Sequence, residues 1–212
     1  MIAALDNKAA HSESAGWKDV TAQLYKVKDN KRATQPHPDA EVFLQASLIP
    51  HFKMLAKRNT DDNKETLGFI FGKKRKDGKW QCDTLCIPRQ WGSNDSCGIE
   101  DGSEAELVNK MSKMNEHTLI GWIHTHPQYD AFFSSTDQHF QFRYQQENAL
   151  FFGVVVSFRL EKQGTHKILH LTDNGMSCVN KCMYKYDDED TSAGAGRVAN
   201  NNESGIQSQR IL

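Results

Sequence analysis

The sequence lacks any apolar run long enough to cross a bilayer, which takes about 20 consecutive apolar residues, so membrane insertion is not expected. It lacks a charged-then-apolar start of the secretory type, and the expected setting is therefore cytoplasmic. It lacks a charge excess of either sign: 26 Lys and Arg face 27 Asp and Glu, for a net charge of −1. Without a basic surface, no nucleic-acid partner is expected. Cysteine is sparse and odd in number. Cys82, Cys86, Cys97, Cys178 and Cys182 form no disulfide framework and read as reduced thiols. There are no internal repeats.

What is present is an alternation of strand-like and helix-like segments. "VFLQAS" from Val42 reads as a strand, and "SLIPHFKMLAKR" as a helix capped by Ser47, with Leu48, Phe52 and Leu55 on one face. "ETLGFIFGK" reads as an apolar strand stopped by Gly72. "KKRKDGKW" is a hairpin with Asp77-Gly78 at its tip, and "CDTLCIP" is the returning strand. "RQWGSNDSCGIEDGS" reads as a turn-rich loop. "EAELVNKMSKMNEH" follows as a helix with Leu107, Val108, Met111 and Met114 inward, then "TLIGWI" as a buried strand. "DQHFQFRYQQE" reads as a helix, and "LFFGVVVSFRL" and "THKILHLT" as a strand pair. These elements predict one α/β (α+β) domain over residues 37–186, with a mixed sheet flanked by helices. Residues 1–36 are polar and read as poorly ordered; residues 187–212 read as a disordered acidic and polar tail.

The chemistry concentrates in "GWIHTHPQYDAFFSSTDQH". On a strand, residues i and i+2 share a face, so His124 and His126 can present two imidazoles to one metal ion. Ser134 to Asp137 has capping-box spacing, and a helix starting there can swing Asp137 back as a third, carboxylate ligand. Two His and one carboxylate leave zinc one open position for water. Zinc lowers that water's pKa from about 16 to about 7. Hydrolysis also needs a base and an oxyanion donor. Ser134 is placed to donate. Glu65 is the candidate base, because an acidic residue leading a buried apolar strand is otherwise costly.

These residues resemble the JAMM (MPN-plus) metalloprotease signature, Glu…His-x-His-Pro-x6-Ser-x-x-Asp. "IGWIHTHPQYDAFFSSTDQH", "ETLGFIFGK" and "HLTDNGMSCVNKC" are similar to the AMSH branch of ubiquitin isopeptidases, over a stretch from about Val42 to Cys182. The resemblance implies an MPN/JAMM fold and zinc held by His124, His126 and Asp137. It implies Glu65 as general acid/base and Ser134 as a donor to the water or oxyanion. It places Phe132 and Ser135 along the groove that grips the ubiquitin tail, and family insertions around Trp91 to His117 and after Asp137. The implied reaction is isopeptide hydrolysis in ubiquitin chains, with preference for lysine-sixty-three linkage. The implied partners are ubiquitin, polyubiquitin and the endosomal sorting machinery, which would bring the protein to endosomes.

The chain departs from that branch in two places. A second, structural zinc is implied, and His139 and Cys182 match its first two ligands, but the family's "GFHPH" is absent. Asp188 and Asp190 fall where the two histidines would be; read as a solvated acidic tail, they leave Cys182 a plain thiol and His139 an exposed helix residue. The N-terminal region that docks the family on sorting proteins is not expected within residues 1–36, about 36 polar residues being too few for a three-helix bundle. The alternative to an enzyme is a catalytically silent MPN scaffold that binds ubiquitin or a partner subunit. Such scaffolds usually lose ligands, whereas this chain keeps all five positions.

Overall fold

In a computed structural model of the chain, the described residues are 17–19, 25–27, 41–115, 117–159 and 164–192. Their strands are β1 (Trp17–Asp19), β2 (Tyr25–Val27), β3 (Val42–Gln45), β4 (Leu67–Lys74), β5 (Trp80–Cys86), β6 (Gln90–Gly92), β7 (Cys97–Ile99), β8 (Thr118–His126), β9 (Phe152–Ser157) and β10 (Thr165–Leu171). The helices are α1 (Leu48–Asp61), α2 (Ser103–Asn115), α3 (Ser135–Gln145) and α4 (Asp173–Ser192). Eight strands form one mixed sheet in the order β1-β10-β9-β8-β4-β5-β3-β2, and β6 pairs only with β7. At the centre, β8 runs antiparallel to β4 and parallel to β9. A parallel neighbour requires a crossover, and α3 lies in the one that joins β8 to β9.

Alternation along the central strands divides the core between the two sheet faces. Ile70, Ile123, Val154, Val156 and Ile168 pack with Leu48, Ile49, Phe52 and Ala56 of α1. Their neighbours Phe69, Phe71, Trp122, Val155 and Leu169 pack on the opposite face with Met111 of α2, Phe142 of α3 and Val179 of α4. These strands are buried on both faces, which is why they read as continuous apolar runs.

Several elements differ from the sequence expectation, each for a local reason. Leu55 is 58% exposed, and the inward face of α1 is Leu48, Ile49, Phe52 and Ala56. An i, i+4, i+8 stripe through the small Ala56 lets the helix lie close to the sheet, whereas Leu55 sits one position off it. Helix α1 also continues to Asp61, three residues past the Arg58 where the expected helix ends, and Ser47 caps it without a side-chain hydrogen bond. Gly72 does not stop β4. The pairing with β5 shifts there, and a Cβ at Gly72 would lie 2.7 Å from the Gln81 carbonyl oxygen, so glycine lets the strand bend and continue to Lys74. Gly78, at φ +83°, does form the expected hairpin tip.

The loop after Arg89 contains the β6–β7 hairpin. At the termini, β1 pairs with β10 and β2 with β3, inside the segment expected to be poorly ordered. Helix α4 carries helical backbone through Ser192, past residue 187 where the tail was expected to begin. The rest of both terminal segments lies outside the described residues. No described helix is long and apolar enough to cross a membrane.

The phase of α1 is testable. Phe52→Ala, at a fully buried ring, should destabilise the protein by about 3–5 kcal/mol. Leu55→Ala should stay within about 0.5 kcal/mol of wild type. Urea unfolding of the two variants measures both, and equal losses would contradict the placement of Leu55 at the surface.

Candidate metal centre

Three segments of chain meet at the end of β8. The strand points Trp122, His124 and His126 to one face, that of α2, α3 and α4, and all three are buried. Pro127 follows directly and has no N–H to continue a ladder. Helix α3 then starts on a complete capping box. The Asp137 N–H donates to Ser134 Oγ at 3.2 Å, and the Ser134 N–H donates to Asp137 Oδ2 at 2.7 Å. This fixes the Asp137 carboxylate at the N-terminus of α3, facing the histidines.

The imidazoles converge. His124 Nε2 and His126 Nε2 are 3.0 Å apart, Asp137 Oδ1 is 3.3 Å from the first, and Oδ2 is 3.7 Å from the second. His126 Nδ1 lies 2.8 Å from the Asp130 carbonyl oxygen, which accepts only, so in the neutral ring Nε2 carries a lone pair aimed at His124. Two ring nitrogens and a carboxylate so arranged repel one another unless a proton or a cation lies between them. Ligands on zinc arms of about 2.0–2.1 Å in a tetrahedron stand roughly 3.3 Å apart, close to the separations seen here. Among the described residues this is the one group of three or more His, Cys, Asp or Glu side chains gathered in this way. The donor set, two imidazoles and a carboxylate with one outer Nδ1–H held by a backbone carbonyl, fits a divalent metal.

Glu65 enters from the neighbouring strand. The β4–β8 register pairs Leu67 with His124, and extending it by two residues sets Glu65 opposite His126. The Thr125 N–H to Thr66 carbonyl bond, at 3.0 Å, carries the ladder that far. Glu65 Oε1 is 3.8 Å from His126 Nε2, and the residue is 4% exposed. The β6–β7 hairpin straps this segment down. Ser93 O accepts the Glu65 N–H at 2.7 Å. The Gln90 side chain behaves as a one-residue strand: its Oε1 accepts from Leu67 N–H at 2.6 Å and its Nε2 donates to Leu67 O at 2.8 Å. A Cβ on Gly92 would collide with the Glu65 carbonyl oxygen, so glycine is required at that approach.

The two carboxylates are driven apart electrostatically. Burial pushes Glu65 up, and the facing His124 and His126 only partly offset it. Burial alone would raise Asp137 too, but the charge on His124 and hydrogen bonds from His124, His126 and Ser134 hold it far below the usual carboxylate range. Burial pulls His126 down, yet Asp137, the Asp130 carbonyl and Glu65 together raise it above its ordinary value. Such divergence of two adjacent carboxylates suits a ligand and a proton acceptor side by side. Cys97, on the same cleft wall, is driven well up by burial and by the neighbouring Glu65 and Asp137, which keeps its thiol protonated.

The remaining expected positions are dispersed. The Phe132 ring stands edge-on to His126 at 5.2 Å, while Ser135 is exposed and its carbonyl oxygen lies 2.8 Å from His139 Nδ1. His139 is half-exposed on α3 and Cys182 is exposed on α4, two helices that pack together. The side chains of Asp188 and Asp190 lie outside the described residues. The sequence pattern gave no notice of Gln90, Cys97, Asp130 or Gln141. Trp122 carries a readable signal, two residues before His124 on the same strand face, whereas Tyr129, in the loop past Pro127 and 6.2 Å edge-on from His126, carries none.

The chain is similar to known proteins. Residues 39–149, which include all five converging side chains, match the family described as JAB1/Mov34/MPN/PAD-1 ubiquitin protease. STAM-binding protein-like A of Danio rerio is 34% identical over 145 residues, covering 68% of this chain and 33% of that protein. AMSH-like ubiquitin thioesterase 1 of Arabidopsis thaliana is 34% identical over 143 residues, covering 67% and 27%. AMSH-like ubiquitin thioesterase 2 of the same plant is 33% identical over 145 residues, covering 67% and 62%. The chain thus spans about a third or less of the first two relatives and under two thirds of the third.

The capping box predicts a stability effect separable from chemistry. Ser134→Ala should cost about 1 kcal/mol in chelator-treated protein, read by denaturant unfolding. An unchanged midpoint would mean that the Ser134 hydroxyl does not hold the start of α3.

Proposed function

The chain belongs to the JAB1/Mov34/MPN/PAD-1 ubiquitin protease family, and we propose on that basis that it is a zinc-dependent isopeptidase that trims ubiquitin chains. The observation that carries the reading is the buried convergence of His124, His126 and Asp137 with a second, separately shifted carboxylate, Glu65, beside them. A scaffold that only binds has no need of a carboxylate held at such electrostatic cost.

In this reading His124, His126 and Asp137 hold the zinc. When bound, zinc supplies Lewis acidity that brings a water's pKa from about 16 to about 7. Glu65 accepts the proton of the attacking water and returns it to the departing lysine amine, a role suited to a carboxyl whose burial raises its affinity for protons. The strap from Gln90 and Ser93 keeps that carboxylate against His126 rather than in solvent. The Ser134 hydroxyl accepts from Asp137 N–H, so its own proton remains free for the oxygen that gains charge in the transition state. Phe132, edge-on to His126, and exposed Ser135 border the approach of the extended ubiquitin tail.

The finer assignments rest on the resemblance. They are preference for lysine-sixty-three linkage, recruitment to endosomal sorting proteins, and a cytoplasmic location at endosomes. Relatives named as STAM-binding support such a partner. A second, structural zinc would draw on His139 and Cys182, which lie on adjoining helices.

A panel of differently linked di-ubiquitins, with and without a chelator, tests the activity and the linkage together. Cleavage should stop on zinc removal and return when zinc is restored. Glu65→Gln should keep its zinc yet lose 10²–10⁴-fold or more in rate, whereas His126→Ala should lose both metal and cleavage. A Glu65→Gln variant that cuts at the wild-type rate would remove Glu65 from the mechanism. Elemental analysis should find about one zinc per chain at the three-ligand site. A value near two that returns to one in Cys182→Ser would place the second ion at α4.

A further inference from the structure

The two histidines are held in different ways. His126 has the outer hydrogen bond expected of a ligand imidazole, from Nδ1 to the Asp130 carbonyl. His124 is fully buried and its Nδ1 has no hydrogen-bond partner. Its ring lies instead flat on Trp122, with centroids 4.5 Å apart and planes 8° from parallel. The indole is in turn pinned: Trp122 Nε1 donates to Gln141 Oε1 at 2.8 Å.

Gln141 has no exposed surface, and its amide has no freedom to flip. The indole N–H can only donate, which makes the facing atom of Gln141 an oxygen. Its Nε2 donates to the Phe151 carbonyl at 2.7 Å and to Gln145 Oε1 at 2.9 Å. Gln145 then grips β10, accepting from Leu171 N–H at 3.0 Å and donating to Leu171 O at 2.9 Å. Asp137, Gln141 and Gln145 are spaced by four, so one stripe of α3 carries a metal-facing carboxylate and the two amides. Opposite, Gly153 makes room for the indole: a Cβ there would lie 2.6 Å from Trp122 Nε1 and 2.6 Å from Phe133.

We propose that Trp122 and Gln141 are positioning residues for the metal ligand His124, with the stacked, amide-anchored indole replacing the outer hydrogen bond that orients His126. The inference rests on the zinc reading above. A rotation of the indole tilts the imidazole lying on it and turns Nε2 away from His126 and Asp137. The amide of Gln141 prevents that rotation, and it does so from the helix that carries Asp137, so one element sets two ligands.

The test is a double-mutant cycle read by zinc affinity rather than by cleavage. Gln141→Ala and Trp122→Phe should each raise the zinc dissociation constant at least about tenfold in chelator competition, and each should shift the absorption bands of the cobalt(II)-substituted protein. In the Trp122→Phe background, Gln141→Ala should add no further loss, because its effect passes through the indole. Phe142→Leu, a core change on the same helix, should lower Tm while leaving the dissociation constant and the cobalt spectrum unchanged. If Gln141→Ala binds zinc within twofold of wild type, or its effect adds in full to that of Trp122→Phe, the positioning role is overturned. If the wild-type protein itself fails to bind zinc, the zinc reading falls first and takes this inference with it.

Discussion

The central constraint is the crowding of electron-pair donors in a place with almost no water. Two imidazole nitrogens 3.0 Å apart, with a carboxylate against both, cannot be left to themselves inside a protein. The surrounding structure is organised to hold that crowd together. Strand alternation aims both histidines, a capping box aims the aspartate, and a carbonyl and an indole keep the rings from turning away. A divalent cation would turn this repulsion into coordination.

Glu65 belongs to a different arrangement. It lies just ahead of β4, and its backbone N–H is held by Ser93 of the β6–β7 hairpin, whose Gln90 amide grips Leu67 two residues on. The three candidate ligands and Glu65 therefore have separate supports: α3 for Asp137, β8 for the histidines and the hairpin for Glu65. The electrostatic outcome follows that separation. Asp137, capped and flanked by imidazoles, stays ionised, whereas Glu65 is dominated by burial.

Much of this is legible in the sequence where the signal is local. H-x-H on a strand, S-x-x-D at a helix start and a glutamate leading an apolar run are short-range patterns, and the structure brings their side chains together. Other features depend on what lies opposite in space. Leu55 looks as apolar as Phe52, and only the closeness of the sheet to α1 selects Ala56 in its place. Gly72 looks like a terminator until the Gln81 carbonyl beside it shows why glycine continues the strand. Gln90 and Gln141 act on backbone groups 23 and 10 residues away, and no periodicity records such bonds. The hairpin at 90–99 reads as a loop because its three-residue strands each carry a Gly and the Ser-Asn-Asp-Ser between them is turn chemistry.

Both imidazoles are buried, and that of His124 lies flat on the Trp122 indole. Asp137 is in addition bonded into the start of α3, and that bonding does not depend on an ion. A duplicated copy released from selection for hydrolysis would still have a reason to retain the aspartate, because its loss would loosen a helix. Decay of such a gene would leave the acidic residue in place as a helix cap after its first use had gone.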